Sequence, residues 1–259
     1  MSTPIVTLTT DWGDGDFFAG MLKGRLMSVV DDVRIVDITH RIEPFNVTKA
    51  TFVVRHACLG FPAGTVHIVD VDTHPPFLAV KARGQYFICC DNGLPVMAFG
   101  DEIEDVSLLA VDPDGYHNFA AYTIFAGAAA MLLRGATMRD LGEPPAQLLQ
   151  RNMPLTIQQG DDYRIYVHYV DSYGNAYLGM THREFEELRA GRQFVLSVRD
   201  QEVTELMASY HQQHATSDPR RRLRLTVSAT GLLELAVKNS SLTSLLGLKA
   251  GESVLLRFR

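Results

Sequence analysis

The chain has 259 residues, 46% of them apolar, which is too apolar for a disordered chain and long enough for one large core or two moderate ones. Its formal net charge of -6 argues against a nucleic-acid backbone as the main partner, since that partnership needs a basic surface. No basic segment with an apolar signal core opens the chain, and no apolar run approaches the roughly 18 residues of a membrane helix, so the expectation is a cytoplasmic protein without membrane contact.

Residues 5–8 form an apolar run that reads as a strand, and the stretch DWGDGDFF then places Asp11, Asp14 and Asp16 within six positions, broken up by glycine. Apolar spacing predicts a helix over 17–30, a strand over 34–38 and a second helix over 48–59. Strands follow over 65–71, 77–82, 85–89 and 106–110, with a hairpin turn at Arg83 and Gly84, and 124–133 is an alanine-rich helix. This alternation predicts a layered α/β domain with a mostly parallel or mixed sheet over residues 1–145.

Beyond Gly142 the stretch EPPAQLLQRNMPLTIQQGDD turns polar and carries prolines, and it is read as a linker over 146–156. Strand-like runs at 163–170, 194–198, 223–228, 232–237 and 253–258 predict a smaller, mostly β domain over 157–259, with short helices at 181–188 and 202–210. Arg220, Arg221, Arg222 and Arg224 make a local basic patch that reads as a solvated strand entrance. Cys58, Cys89 and Cys90 lie in or beside apolar runs, as buried thiols of a reducing compartment do. Adjacent strand residues point to opposite faces, so Cys89 and Cys90 do not suit a shared metal.

The chemistry concentrates at strand ends. Asp11 follows the first strand, Asp37 and His40 end the second, Asp70 and Asp72 end the third, and Asp91, Asn92 and Gly93 follow a later one. Each alone suits a turn; together they predict a polar cleft at one sheet edge, where open α/β sheets bind ligands. The chain opens with neither GxGxxG nor GxxxxGK, and carboxylates accept hydrogens from a ribose diol more naturally than they hold phosphate. A neutral or cationic ribose-containing ligand is therefore favoured, with Trp12 and Phe45 available to stack on a planar base. A metal set of Asp70, Asp72 and His74, backed by His67, is the rival chemistry. His67 also reads as a core histidine within TVHIV, and the reading taken is that no metal is bound. No GxSxG elbow supports a serine triad.

In order along the chain, TLTTDWGDGDFFAGMLKG, VDITHRIEPFNV, FPAGTVHIVDVD, CCDNGLP, IFAGAAAMLLRG, VDSYGN and LLELAVKNSSLTSLLGLKAGESV resemble the S-adenosylmethionine hydroxide adenosyltransferase family, relatives of the fluorinase and chlorinase enzymes. The resemblance implies S-adenosylmethionine as substrate without a separate cofactor, and SN2 attack of water at ribose C5′ to give adenosine and methionine. It also implies a homotrimer with active sites between subunits. By position, Asp11 falls on the aspartate that holds the ribose diol, Asp16 on a second acidic position, Phe45 on the adenosine pocket, and Asp91 and Asn92 on a pocket-lining turn. Asp171, Tyr173 and Asn175 fall on D-x-F-G-N, with Asp171 or its neighbours toward the methionine ammonium.

Departures cluster where the family handles water. Asp72 matches the water-orienting aspartate, but the shortened THPP segment lacks the arginine, Ala120 replaces the histidine, and Ser228 and Ala229 stand for an asparagine and a serine. The expectation is that Asp72 orients the water, that the shortened loop brings His74 inward, and that Thr123 supplies a hydroxyl. The alternatives are another adenosyl transfer or halide-dependent reaction at C5′, or a catalytically weak nucleoside-binding protein.

Overall fold

The computed structural model describes residues 3–212 and 222–259, so Arg220 and Arg221 of the basic patch lie outside the described residues. The chain divides into two compact units, Met1–Asn152 and Met153–Arg259.

The first unit runs β1 (Ile5–Thr10), α1 (Phe18–Val29), β2 (Arg34–Thr39), α2 (Val47–Ala57), β3 (Val66–Asp70), β4 (Phe77–Ala82), β5 (Gln85–Cys90), α3 (Leu94–Phe99) and β6 (Ile103–Leu108). A π-helical turn (Ala121–Phe125) then leads into α4 (Ala126–Leu133), followed by α5 (Met138–Leu141). The strands form one six-stranded sheet in the order β2-β1-β3-β5-β4-β6. β2, β1, β3 and β5 pair in parallel, whereas β4 is antiparallel to both β5 and β6, so the sheet is mixed. Arg83 and Gly84 turn the β4–β5 hairpin at φ 51° and 72°, the left-handed pair that a two-residue turn needs to match strand twist.

Alternation along the strands divides the core. Val6, Leu8, Val66 and Ile68 pack with Leu22 and Leu26 of α1 and with Phe125. Val69, Val71 and Val80 pack on the other face with Val47 and Val54 of α2 and Leu94 of α3. Both faces of β3 are thus covered, and the strand is buried at every position, as parallel strands between helix layers are. Cys90 joins the first cluster and Cys89 the second, the opposite faces expected of neighbours in a strand. Because four strands run parallel, their C-terminal ends share one edge, and Asp11, His40, Asp70, Asp72, Asp91 and Asn92 gather there.

The second unit is built from β7 (Ile157–Gln159), β8 (Asp162–Val170), β9 (Ala176–Thr181), α6 (His182–Arg189), β10 (Phe194–Val198), β11 (Gln201–Val203), β12 (Leu206–Met207), β13 (Leu223–Val227), β14 (Leu232–Val237), α7 (Leu242–Leu246) and β15 (Ser253–Phe258). These strands make a nine-stranded sheet, antiparallel except where β12 joins β13. Thr181 and Glu184 close a capping box at the start of α6, which lays Phe185 edge-on to Phe194 at 5.0 Å in the core. The helix expected over 202–210 is absent. Val203 instead sits in a short strand that forms a hairpin with β10, and Met207 in one that pairs in parallel with β13. No described helix is long and apolar enough to cross a membrane.

Candidate functional site

Asp11 is the first residue beyond β1, and its carboxylate is used from one side only. Oδ2 accepts the backbone N–H of Phe45 at 3.0 Å and that of Asp72 at 3.3 Å. Both donors have left-handed backbones, φ 66° at Phe45 and 48° at Asp72, so one oxygen ties down two residues that side chains other than glycine rarely allow. Oδ1 takes no hydrogen bond among the described residues. The Phe45 ring stands 75% exposed, an unusual position for an aromatic side chain whose backbone is pinned. Trp12 stacks on His40 with ring centroids 5.9 Å apart and meets Phe119 edge-on at 5.1 Å, and Thr10 Oγ1 holds His40 Nδ1 at 2.8 Å. His40 Nε2 lies 3.3 Å from Asp37, which is also bound by Lys23. Asp16 is exposed, and Asp14 beside it pairs with Arg41.

The end of β3 holds the other acids. Asp70 is buried, and the Asp11 backbone N–H donates to its carbonyl at 3.3 Å. Burial pushes the Asp70 carboxyl up to about 6, and the charge of Asp11 adds to the rise. Asp72 is half-buried; its carbonyl accepts from Asn92 Nδ2 at 3.5 Å and lies 3.4 Å from Cys90 Sγ. His74 is exposed, with Nδ1 3.0 Å from the Pro75 carbonyl, so the shortened loop has not turned it inward in this structure. His67 is a core residue: Thr7 Oγ1 lies 2.7 Å from Nδ1 and Gln85 Oε1 3.2 Å from Nε2, and burial lowers the imidazole to about 4. Among the described residues no group of three or more His, Cys, Asp and Glu side chains is arranged to hold a metal ion.

Asp91 and Asn92 serve the scaffold beneath this edge. Asp91 accepts the Leu149 N–H with both oxygens, at 3.0 and 3.1 Å. Buried Asn92 donates to the Val71 carbonyl at 2.9 Å and accepts the Leu94 N–H at 3.1 Å, joining the turn after β3 to the start of α3. Thr123 is exposed on the π-turn, where its hydroxyl donates to Phe119 O at 3.1 Å. It lines a depression of about 300 Å³ with Asp112 and His117 rather than the ring of strand-end acids.

In the second unit, Asp171 organises its own turn. Oδ1 accepts the N–H groups of Tyr173 and Asn175 at 2.9 and 2.8 Å, and Oδ2 accepts Asn175 Nδ2 at 3.2 Å. Gly174 sits at φ 83° against Ser241, the N-cap of α7. The turn presents Tyr173, 79% exposed, at the rim of a cavity of about 430 Å³ that Asn175, Tyr210 and Lys238 also line. Sequence reading overlooked Glu234 beneath it. This carboxyl is 1% exposed, accepts the Tyr210 hydroxyl at 2.5 Å, and is pushed above the usual carboxylate range by burial, with the charge of Asp171 acting the same way. A lone glutamate inside LLELAV, a strand buried at every position, was the available signal.

The model of the SAM hydroxide adenosyltransferase N-terminal domain matches residues 6–142, and that of the C-terminal domain matches 165–255. A Salinispora arenicola protein named (R)-S-adenosyl-L-methionine hydrolase is 28% identical over 98% of this chain and 97% of its own length. A Salinispora tropica protein of the same name is 29% identical, covering 96% of each chain. Among solved structures, an uncharacterised conserved protein of Thermotoga maritima superimposes with a TM-score of 0.84 at 24% identity, over 98% of this chain and 99% of that one, a likeness of fold. The matched segments include the strand ends around Asp11 and the Asp171 turn, and this chain belongs to the SAM hydroxide adenosyltransferase family.

Proposed function

We propose that the chain hydrolyses S-adenosylmethionine to adenosine and methionine by direct attack of water at ribose C5′. The observation that carries this reading is the one-sided carboxylate of Asp11, fixed through Oδ2 and open at Oδ1 to the ribose hydroxyls, with the Phe45 ring exposed on the same tether. The sulfonium is already an activated leaving group, so the protein has to supply alignment and a desolvated nucleophile rather than a Lewis acid. Asp72 is assigned to orienting the water. His74 and Thr123 are the two further side chains whose alanine variants test a share in catalysis. Asp16, Asp91 and Asn92 support the substrate-side loops, while Asp171, Tyr173 and Asn175 serve the methionine and adenine end. We also propose a homotrimer in which a neighbouring subunit completes each site; a stable monomer that turns over substrate in light scattering would remove that part.

A nucleoside-binding protein with little turnover is the second reading, favoured by Ala120 where a histidine is expected. One experiment separates the two. Metal-free protein is incubated with S-adenosylmethionine in oxygen-18 water, with and without chloride, and the products are resolved by mass spectrometry. Hydrolysis puts the heavy label on the 5′ oxygen of adenosine; 5′-chloro-5′-deoxyadenosine would move the assignment to halide transfer; binding with no product would leave the second reading.

A further inference from the structure

We propose that Asp70 is the proton acceptor for the attacking water in this chain, an inference that rests on the hydrolysis proposed above. Asp70 closes β3 at the same edge as Asp11 and is 6% exposed. Four features surround its side chain: Asp11 from the end of β1, Thr73 from the following loop, Cys90 from β5, and the Ala121 backbone at the start of the π-turn. Among the described residues no lysine, arginine or histidine compensates it. Thr73 Oγ1 is also buried and makes no hydrogen bond of proper geometry, although it lies near enough to favour the charged carboxyl. A buried acid facing the Asp11 carboxylate and a thiol opposes folding, and such an acid at a ligand-binding edge is better explained by chemistry than by stability.

Its neighbours are otherwise engaged. Asp11 commits Oδ2 to two backbone N–H groups. Cys90 is held as a thiol by burial, which pushes it up to about 11, so it does not compete for the proton near neutrality. Ala120 and Ala121 are both buried and carry no side-chain base. Asp70 is left as the acid whose proton affinity, about 6, matches proton transfer at neutral pH. In the step, the water oxygen bonds to C5′ as the C5′–S bond breaks; the bonding pair stays on sulfur, which leaves as the neutral thioether of methionine. The water proton passes to a carboxylate oxygen of Asp70 and then to solvent. Only ionised Asp70 accepts it, so turnover falls as pH drops through about 6.

The test uses the full chain, free of added metal, following adenosine release from S-adenosylmethionine across the acid and neutral range. Asp70→Asn is expected to lower kcat by about 10²-fold or more and to abolish the acid limb, with KM and adenosine affinity within about threefold of wild type. Both Asp70→Asn and Asp70→Val are expected to melt at higher temperature than wild type, because a buried ionisable group is gone. An Asn variant with wild-type kcat and an unchanged acid limb overturns the assignment while hydrolysis stands. Loss of adenosine affinity together with a lower melting temperature in both variants also overturns it, in favour of a scaffold role. Wild-type protein that binds adenosine but releases none from S-adenosylmethionine overturns the hydrolase reading, and this assignment falls with it.

Discussion

Asp11→Ala removes an acceptor used once by the scaffold and, in our reading, once by the ligand, so its two effects are separable. On the scaffold side, Oδ2 loses the N–H groups of Phe45 at 3.0 Å and Asp72 at 3.3 Å. Hydrogen bonds to a charged group contribute about 1.5–3 kcal/mol each, but this carboxylate is part-exposed and the second bond is long, so about 2 kcal/mol for the pair is the reasonable sum. At roughly 2–4 °C per kcal/mol, the variant melts about 4–8 °C lower. On the ligand side, a charged oxygen that accepts a ribose hydroxyl should contribute about 1.5–3 kcal/mol, or roughly 10- to 150-fold in affinity. Calorimetric titration of wild type and variant with adenosine and 2′-deoxyadenosine completes a double-mutant cycle, and the coupling term excludes the stability loss common to both ligands. Wild type should discriminate against 2′-deoxyadenosine and Asp11→Ala should not. Equal affinities for the two nucleosides in wild type would refute the role of Asp11 in ribose binding, whatever happens to the melting temperature.

Two further outcomes follow from the buried groups and the turns. His67 is lowered to about 4 by burial, so below pH 6.5 the unfolded chain takes up a proton that the folded chain refuses, and stability falls with pH through that window by about 3 kcal/mol. Asp70 acts with the opposite sign: folded protein keeps its proton up to about 6 and the unfolded chain releases it near 3.8, so its contribution falls as pH rises across that interval. The two nearly cancel in wild type, and Asp70→Asn should unmask the His67 slope; parallel plots of urea midpoint against pH for the two proteins would refute this opposition. Gly174→Ala drives a Cβ into Ser241 Oγ at a φ of 83°, and should lower the melting temperature of the second unit and weaken nucleoside binding together; a wild-type melting curve would show that the Asp171 turn tolerates displacement.

Elements that announce themselves by a long run or a local turn were legible. β1, β4, β5 and β14 follow predominantly apolar stretches, and Arg83-Gly84 marks its hairpin. α3 escaped notice because its six residues make fewer than two helical turns, too few for apolar spacing to repeat, although Pro95 in its first turn was a start signal. β9 went unread despite strict alternation along AYLGMT, its glycine having masked the pattern. The stretch 202–210 failed for two reasons: its first residues close a two-residue hairpin with β10, and Leu206–Met207 pair with β13, an edge that only the folded unit brings near. Site residues show the same division. That Asp11, Asp70 and Asp72 end strands could be read from the chain, whereas which carboxyl is open and which is buried depends on the backbone of Phe45, on Cys90 and on the π-turn, all distant in sequence.

Trp12 is the only tryptophan in the chain, and it follows Asp11 directly while its ring lies flat against His40 and edge-on to Phe119. Indole emission excited at its red edge, where tyrosine does not absorb, therefore comes from one place, beside the proposed ribose anchor. A nearby imidazole quenches indole by an amount that depends on its charge and separation, so small shifts of the His40 ring change brightness without any global change in the protein. Unlabelled protein in a stopped-flow mixer can thus report the arrival of a nucleoside at this edge in real time.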